Sequence, residues 1–245
     1  MTERETSFTT ETLKQLLHAA SEDVVLVGGQ ALSFWVNFYS IDLISHNIVG
    51  AISRDADFLG ERKDVKHIAD GVSGKAIYPS EREMTAIAGQ VIMRLDQNEY
   101  LNIDVIHRVV GIDADAVRRR ALQAEFDGVS FRVMHPLDVL KSRIENLATL
   151  QDKQTPEGII QAKLALQVAN KFVTAIAGNT DGQKLALKSI EAIVNIAKTS
   201  AGYKCAREFG IDFFHAIPKS SVEDEQFHQM RWPHLVKELE KGTGS

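Results

Sequence analysis

The stretch "AISRDADFLG" (residues 51–60) alternates apolar and polar side chains, yet it sets two aspartates, Asp55 and Asp57, two positions apart. The alternation predicts a strand over 52–58. Residues i and i+2 of a strand project to the same face, so Asp55 and Asp57 point together while Ile52, Ala56 and Phe58 take the other side. Aspartate is poorly suited to strands, and two neighbouring carboxylates repel and raise each other's pKa. A cation between them removes that penalty. Magnesium fits, because it takes oxygen ligands and is usually held by one or two carboxylates plus substrate phosphates.

The flanking sequence adds to the pair. Upstream, "VVLV" (24–27) reads as a buried strand stopped by Gly28-Gly29, and "QALSFWVNFY" (30–39) follows as a buried helix. Backbone N–H groups at such a turn make a phosphate cradle, and glycine permits close approach. Downstream, "GQVIMRL" (89–95) and "YLNIDVIHRV" (100–109) read as a hairpin. In the second run Asp104 interrupts the apolar residues, out of phase with Leu101, Ile103 and Val105. An adjacent strand would bring Asp104 beside the first two acids.

A polar start gives way to a helix capped by Thr9 or Thr10 and running to Ala20. "ERKDVKHIAD" (61–70) reads as an exposed helix and 113–122 as a short one, and Asp127-Gly128 sits between two short apolar runs as a hairpin turn. From His135 the strand signals stop. Pro136 opens a helix with a stripe at Leu137, Leu140, Ile144 and Leu147. Further helical patterns run over 157–177, 183–199 and 201–217, and a short one follows Pro233. Mixed elements followed by helices alone predict two domains. One is a mixed-sheet α/β domain over 1–135; the other is an all-helical bundle over 136–245.

Composition narrows the class. With 44% hydrophobic and 25% charged residues the 245-residue chain is ordinary globular material. No apolar run approaches the roughly 18–20 residues a membrane span requires, and the acidic start does not read as a signal peptide. A single cysteine, Cys205, leaves neither a disulfide framework nor a zinc cluster, so a reducing cytoplasm is expected. A net charge of −5 argues against a strongly basic nucleic-acid binder while leaving room for a local patch.

The order strand, Gly-Gly, helix, Asp-x-Asp, later Asp resembles the nucleotidyltransferase superfamily that includes DNA polymerase beta. It is most similar to the bacterial minimal and abortive-infection-type enzymes, some of which are toxins of toxin–antitoxin pairs. "LVGGQAL", "SRDADFL" and "LNIDVIH" carry the resemblance. It implies that Asp55, Asp57 and Asp104 bind two divalent metals, Mg²⁺ or Mn²⁺, with Asp104 also activating the attacking hydroxyl. It further implies that Gly28, Gly29 and Ser53 contact the triphosphate of an NTP. Lys141, in "HPLDVLKSRIENL", would be a further phosphate partner, with Arg143 a weaker one. Asp138 at i−3 and Glu145 at i+4 offer Lys141 a plain surface ion pair instead. Gly29 and Asp55 lie farther apart than is usual in that family; a longer helix or inserted loop, "NFYSIDLISHNIVGA" (37–51), would absorb the difference.

The implied reaction moves a nucleoside monophosphate from an NTP to an acceptor hydroxyl on RNA, tRNA or protein, with a cognate protein partner and no membrane. Two other readings stand beside it. One is a non-catalytic nucleotide- or partner-binding protein on the same fold; the other is a small-molecule transferase of the antibiotic-modifying sort. The repeat of Asp-x-Asp at Asp113 and Asp115 precedes a helix, where acids favour the N-terminal dipole, and reads as a cap.

Overall fold

Short apolar runs separated by turn residues build the sheet that carries Asp57 and Asp104. The structure, a computed structural model, describes residues 4–42, 55–80, 85–96 and 98–243. The chain divides into two compact units, Met1–Phe34 with Ile52–His135 and Trp35–Ala51 with Pro136–Ser245.

The first unit is mixed α/β. Its strands are β1 (Arg4–Glu5), β2 (Val25–Val27), β3 (Ala56–Leu59), β4 (Lys75–Ile77), β5 (Ile87–Arg94), β6 (Glu99–Ile106), β7 (Leu122–Phe126) and β8 (Val129–Val133). They form one eight-stranded sheet in the order β4-β5-β6-β3-β2-β8-β7, with β1 also paired to β6. β3 runs parallel to β6 and β2 parallel to β8, whereas β2–β3, β4–β5, β5–β6 and β7–β8 are antiparallel. Between β7 and β8, Asp127 (φ 48°) and Gly128 (φ 80°) both take positive φ, as a two-residue type I′ turn requires.

Alternation in β5 and β6 buries Val91, Met93, Leu101, Ile103 and Val105 on one face, the face that carries Ala56 and Phe58 of β3 by register. Helices α1 (Thr10–Ala19) and α3 (Arg62–Gly71) pack behind it, α3 on β4, β5 and β6. The charged sequence of α3 reads as exposed, but Val65, Ile68 and Ala69 are buried. A three-residue apolar edge suffices where a sheet waits to receive it. Thr9 caps α1 through a reciprocal bond pair with Thr12, a device worth about 1 kcal/mol.

The strand predicted over 52–58 is shorter and later: it is Ala56–Leu59, and Asp55 immediately precedes it. Residues 51–54 lie outside the described residues. β1 and β4, two and three residues long, were not predicted, because so few positions show no period.

In the second unit, helices α5 (Pro136–Thr149), α6 (Pro156–Ala177), α7 (Gln183–Ala197), α8 (Ser200–Phe209) and α9 (Trp232–Thr243) pack on one another; α2 (Gly28–Phe38) and α4 (Ala114–Arg120) precede them in the chain. The helix predicted over 201–217 stops at Phe209, where Gly210 adopts a left-handed cap, and a short 3₁₀ turn, Phe213–Ala216, follows. The last helix begins at Trp232 rather than after Pro233. Burial pushes the Cys205 thiol up to about 12, and it donates to the Ile144 carbonyl at 3.4 Å. It is a packing residue.

Candidate functional site

The site begins where β2 ends. Val25, Leu26 and Val27 are fully buried, and the chain then turns at Gly28 with φ +64° into α2. A Cβ at Gly28 would lie 1.9 Å from Asp57 Oδ2 and 2.7 Å from its Cγ. Glycine is therefore required twice, for the left-handed backbone and for the carboxylate seated against it. The first turn of α2 contains no acidic residue, so the partial positive charge of that helix end is left to groups outside the helix.

Register sets the rest. Val27 pairs with Asp57 across the antiparallel β2–β3 ladder, and Asp57 pairs with Asp104 across the parallel β3–β6 ladder. Asp104 pairs in turn with Gln90 of β5, and Gln90 with Ile77 of β4. One row thus crosses five strands on a single face, with neighbouring strands about 4.8 Å apart. Asp57 and Asp104 stand side by side in it.

Gln90 Nε2 donates to Asp104 Oδ1 at 2.8 Å, and Asn102 Nδ2 donates to the same oxygen at 3.2 Å. Burial is the largest influence on Asp104 and lifts its carboxyl above the ordinary value. The Gln90 bond opposes this, the charge of nearby Asp55 adds to it, and the Asn102 bond opposes it again. The net direction is upward. The charge of Asp55 thus reaches the Asp104 carboxylate, although Asp55 lies outside the strand. Asn102 Oδ1 is buried without a hydrogen-bond partner. Flipping that amide would turn its oxygen toward the Asp104 carboxylate, so the bond to Asp104 fixes which way it faces.

Asp55, Asp57, Asp104 and Gly28 therefore meet in the first unit. Gly29 follows within α2, buried, its carbonyl accepting the Ser33 hydroxyl at 2.9 Å. Ser53 lies outside the described residues. Lys141 belongs to α5 of the second unit, and among the described residues it pairs with neither Asp138 nor Glu145. Arg143 is buried and donates to Gln161 Oε1 at 2.9 Å. Asp113 caps α4 by accepting the Ala116 N–H at 2.8 Å, and Asp115 pairs with Arg118.

Sequence reading missed Gln90 and Asn102. Asn102 sits two residues before Asp104 on one strand, so the same-face rule was enough to find it. Gln90 is visible only once the register of β5 on β6 is known.

The donor set suits a hard cation, since Asp55, Asp57 and Asp104 offer carboxylate oxygen alone. Among the described residues no group of three or more His, Cys, Asp or Glu side chains closes into a metal cage. An ion here would take part of its shell from a ligand such as phosphate. No protein-family model matches the chain, and no curated protein matches it either.

Proposed function

We propose that the chain is a metal-dependent nucleotidyltransferase of the DNA polymerase beta-like fold, which moves a nucleoside monophosphate from an NTP to an acceptor hydroxyl. One observation carries the reading: Asp57 and Asp104 are direct register partners on one sheet face, with Asp57 seated against the glycine turn that opens α2. That puts paired carboxylates beside a helix N-terminus, where a metal-bound triphosphate would find both its cation and its phosphate cradle. Acidic sheet faces without a helix start beside them lack the second half.

Asp55, Asp57 and Asp104 would hold Mg²⁺ or Mn²⁺, and the ion, when bound, supplies charge neutralisation for the phosphate oxygens. The chain's own groups do the rest. The turn at Gly28 and Gly29 lets phosphate approach the backbone. Asp104, pinned through Oδ1 by Gln90 and Asn102, accepts the proton of the acceptor hydroxyl. The acceptor oxygen bonds to the α-phosphorus, the bond from that phosphorus to the bridging oxygen breaks, and pyrophosphate leaves with the electron pair. RNA, tRNA or protein is the favoured acceptor class, and a toxin–antitoxin setting with a cognate partner protein belongs to the same reading.

A second reading has one observation in its favour. Gly29 and Asp55 lie farther apart in sequence than is usual in that family, which also suits a nucleotide-binding protein that performs no transfer. Pyrophosphate release separates the two. With NTP, Mg²⁺ and cell RNA, the wild-type chain releases pyrophosphate and Asp57→Ala, folded to the same degree, does not. Equal release by the two proteins would remove Asp57 from the chemistry, and binding of NTP without release would favour the second reading.

A further inference from the structure

Asp104 is held both from its own strand and from the next. Gln90 Nε2 of β5 donates to Oδ1 at 2.8 Å, and Asn102 Nδ2 of β6 donates to the same oxygen at 3.2 Å. A carboxylate oxygen offers two lone pairs, so two donors saturate Oδ1. Oδ2 accepts no hydrogen bond among the described residues. One oxygen of Asp104 is committed to the protein and the other is open. Gln90 stands directly across from Asp104 in the β5–β6 ladder, while Asp57 stands across from it on the other side, in the β3–β6 ladder. The bond from Gln90 therefore draws Oδ1 toward β5. Gln90 is itself fixed from both sides, by Asp104 of β6 and by Ile77 of β4, so the donor sits on a rigid mount.

The kind of donor matters as much as its place. Asp104 forms no ion pair among the described residues. Lysine or arginine would hold the carboxylate more strongly. Either would also bring a positive charge to the place where a cation has to sit, and the two would repel. A primary amide gives the hydrogen bond and leaves the negative charge of the carboxylate uncompensated. Both residues that hold Asp104 are primary amides.

We propose that Gln90 is a positioning residue of the metal site. By holding Asp104 through Oδ1 with a neutral donor, it leaves Oδ2 as the single oxygen through which Asp104 meets the ion. Asn102 supports the same hold from β6. The inference rests on the metal-dependent reading of the carboxylates. It goes beyond that reading in assigning the choice of oxygen, and much of the affinity for the ion, to a residue that touches neither ion nor substrate.

The test is Mn²⁺ binding by the full chain, read from the electron paramagnetic resonance signal of the free ion. α,β-Methylene-ATP is present as a triphosphate that releases no pyrophosphate, and Asp57→Ala marks loss of the site. Gln90→Leu removes the donor at nearly unchanged bulk and weakens Mn²⁺ binding roughly 10- to 100-fold, the cost of deleting an outer partner of a metal ligand. Gln90→Lys keeps a donor within reach of Asp104 but adds a charge. It raises the unfolding midpoint and still weakens Mn²⁺ binding at least as much as Gln90→Leu. A residue that only supported the fold would not set stability and affinity in opposition, and this comparison stands even if Gln90→Leu unfolds. Mn²⁺ affinity in Gln90→Lys at or above that of the wild type overturns the proposal, as does unchanged affinity in a folded Gln90→Leu. In both cases, binding that Asp57→Ala still abolishes leaves the metal-dependent reading standing. Wild-type affinity no greater than that of Asp57→Ala removes both.

Discussion

Replacing Asp104 by Asn should make the protein more stable while removing its proposed chemistry. Gln90 and Asn102 both donate to Oδ1, and an asparagine can keep that oxygen and both bonds. What it loses is a charge that burial penalises and that Asp55 repels. The carboxylate is half-buried and still reached by solvent, so after screening the gain is on the order of 1 kcal/mol. For a chain of this size that is about 2–4 °C in the unfolding midpoint. The sign follows from linkage: a carboxyl raised in the folded state favours folding at low pH, and that advantage is lost as pH rises through the raised value. Below the ordinary value of 3.8 Asp104 is protonated in both states and the variant gains nothing; the difference grows above it and is complete once the folded carboxyl has ionised. Calorimetry in EDTA across this interval measures it. Adding Mg²⁺ then separates the proteins again, since an ion at ten times its Kd adds about 1.4 kcal/mol to a protein that binds it and little to the variant. A variant less stable than wild type at neutral pH in EDTA would refute this account of Asp104, as would an equal response to Mg²⁺.

Gly28→Ala forces a side chain into positive φ and against the Asp57 carboxylate; the backbone part alone costs about 1–2 kcal/mol. Chemical denaturation should show a larger loss than that, and Asp57→Ala in the same chain should return part of it, giving a favourable coupling in the double-mutant cycle. Gly128→Ala, with φ +80° but open space around the missing Cβ, should cost only the backbone part, about 1–2 kcal/mol; a loss as large as that of Gly28→Ala would show that the Asp57 contact adds nothing. Phe58→Ala empties a fully buried position beside the site and should cost about 3–5 kcal/mol in urea unfolding, with little loss taken as evidence against the packing behind β3.

The acids could be found from sequence because aspartate inside an apolar run is locally costly and stands out from its neighbours. Their mutual placement was less accessible. Asp57 and Asp104 face each other because β3 and β6, nearly fifty residues apart in the chain, pair parallel in one particular register, and no local pattern states that register. The same reason hid Gln90, which is an ordinary polar residue of an alternating strand until β5 is laid beside β6. Asp55 was placed on the strand by its spacing from Asp57, whereas it ends the segment that enters β3; a bend there is invisible to a period-two rule. The turn at Asp127-Gly128 was legible because a positive φ at two successive residues is a local demand with few sequence solutions. The α3 helix was misjudged because its three apolar positions are few against its charges, and only the sheet behind it decides that they are buried.

The most direct test of the central claim is transfer of label. Each α-labelled NTP is incubated with Mg²⁺ or Mn²⁺, total cell RNA and lysate, beside the Asp55→Ala/Asp57→Ala double variant. The account predicts label on RNA or protein with the wild-type chain and none with the double variant at matched folding. Transfer that survives the double variant, or no transfer to any acceptor by a folded wild-type chain, would contradict it.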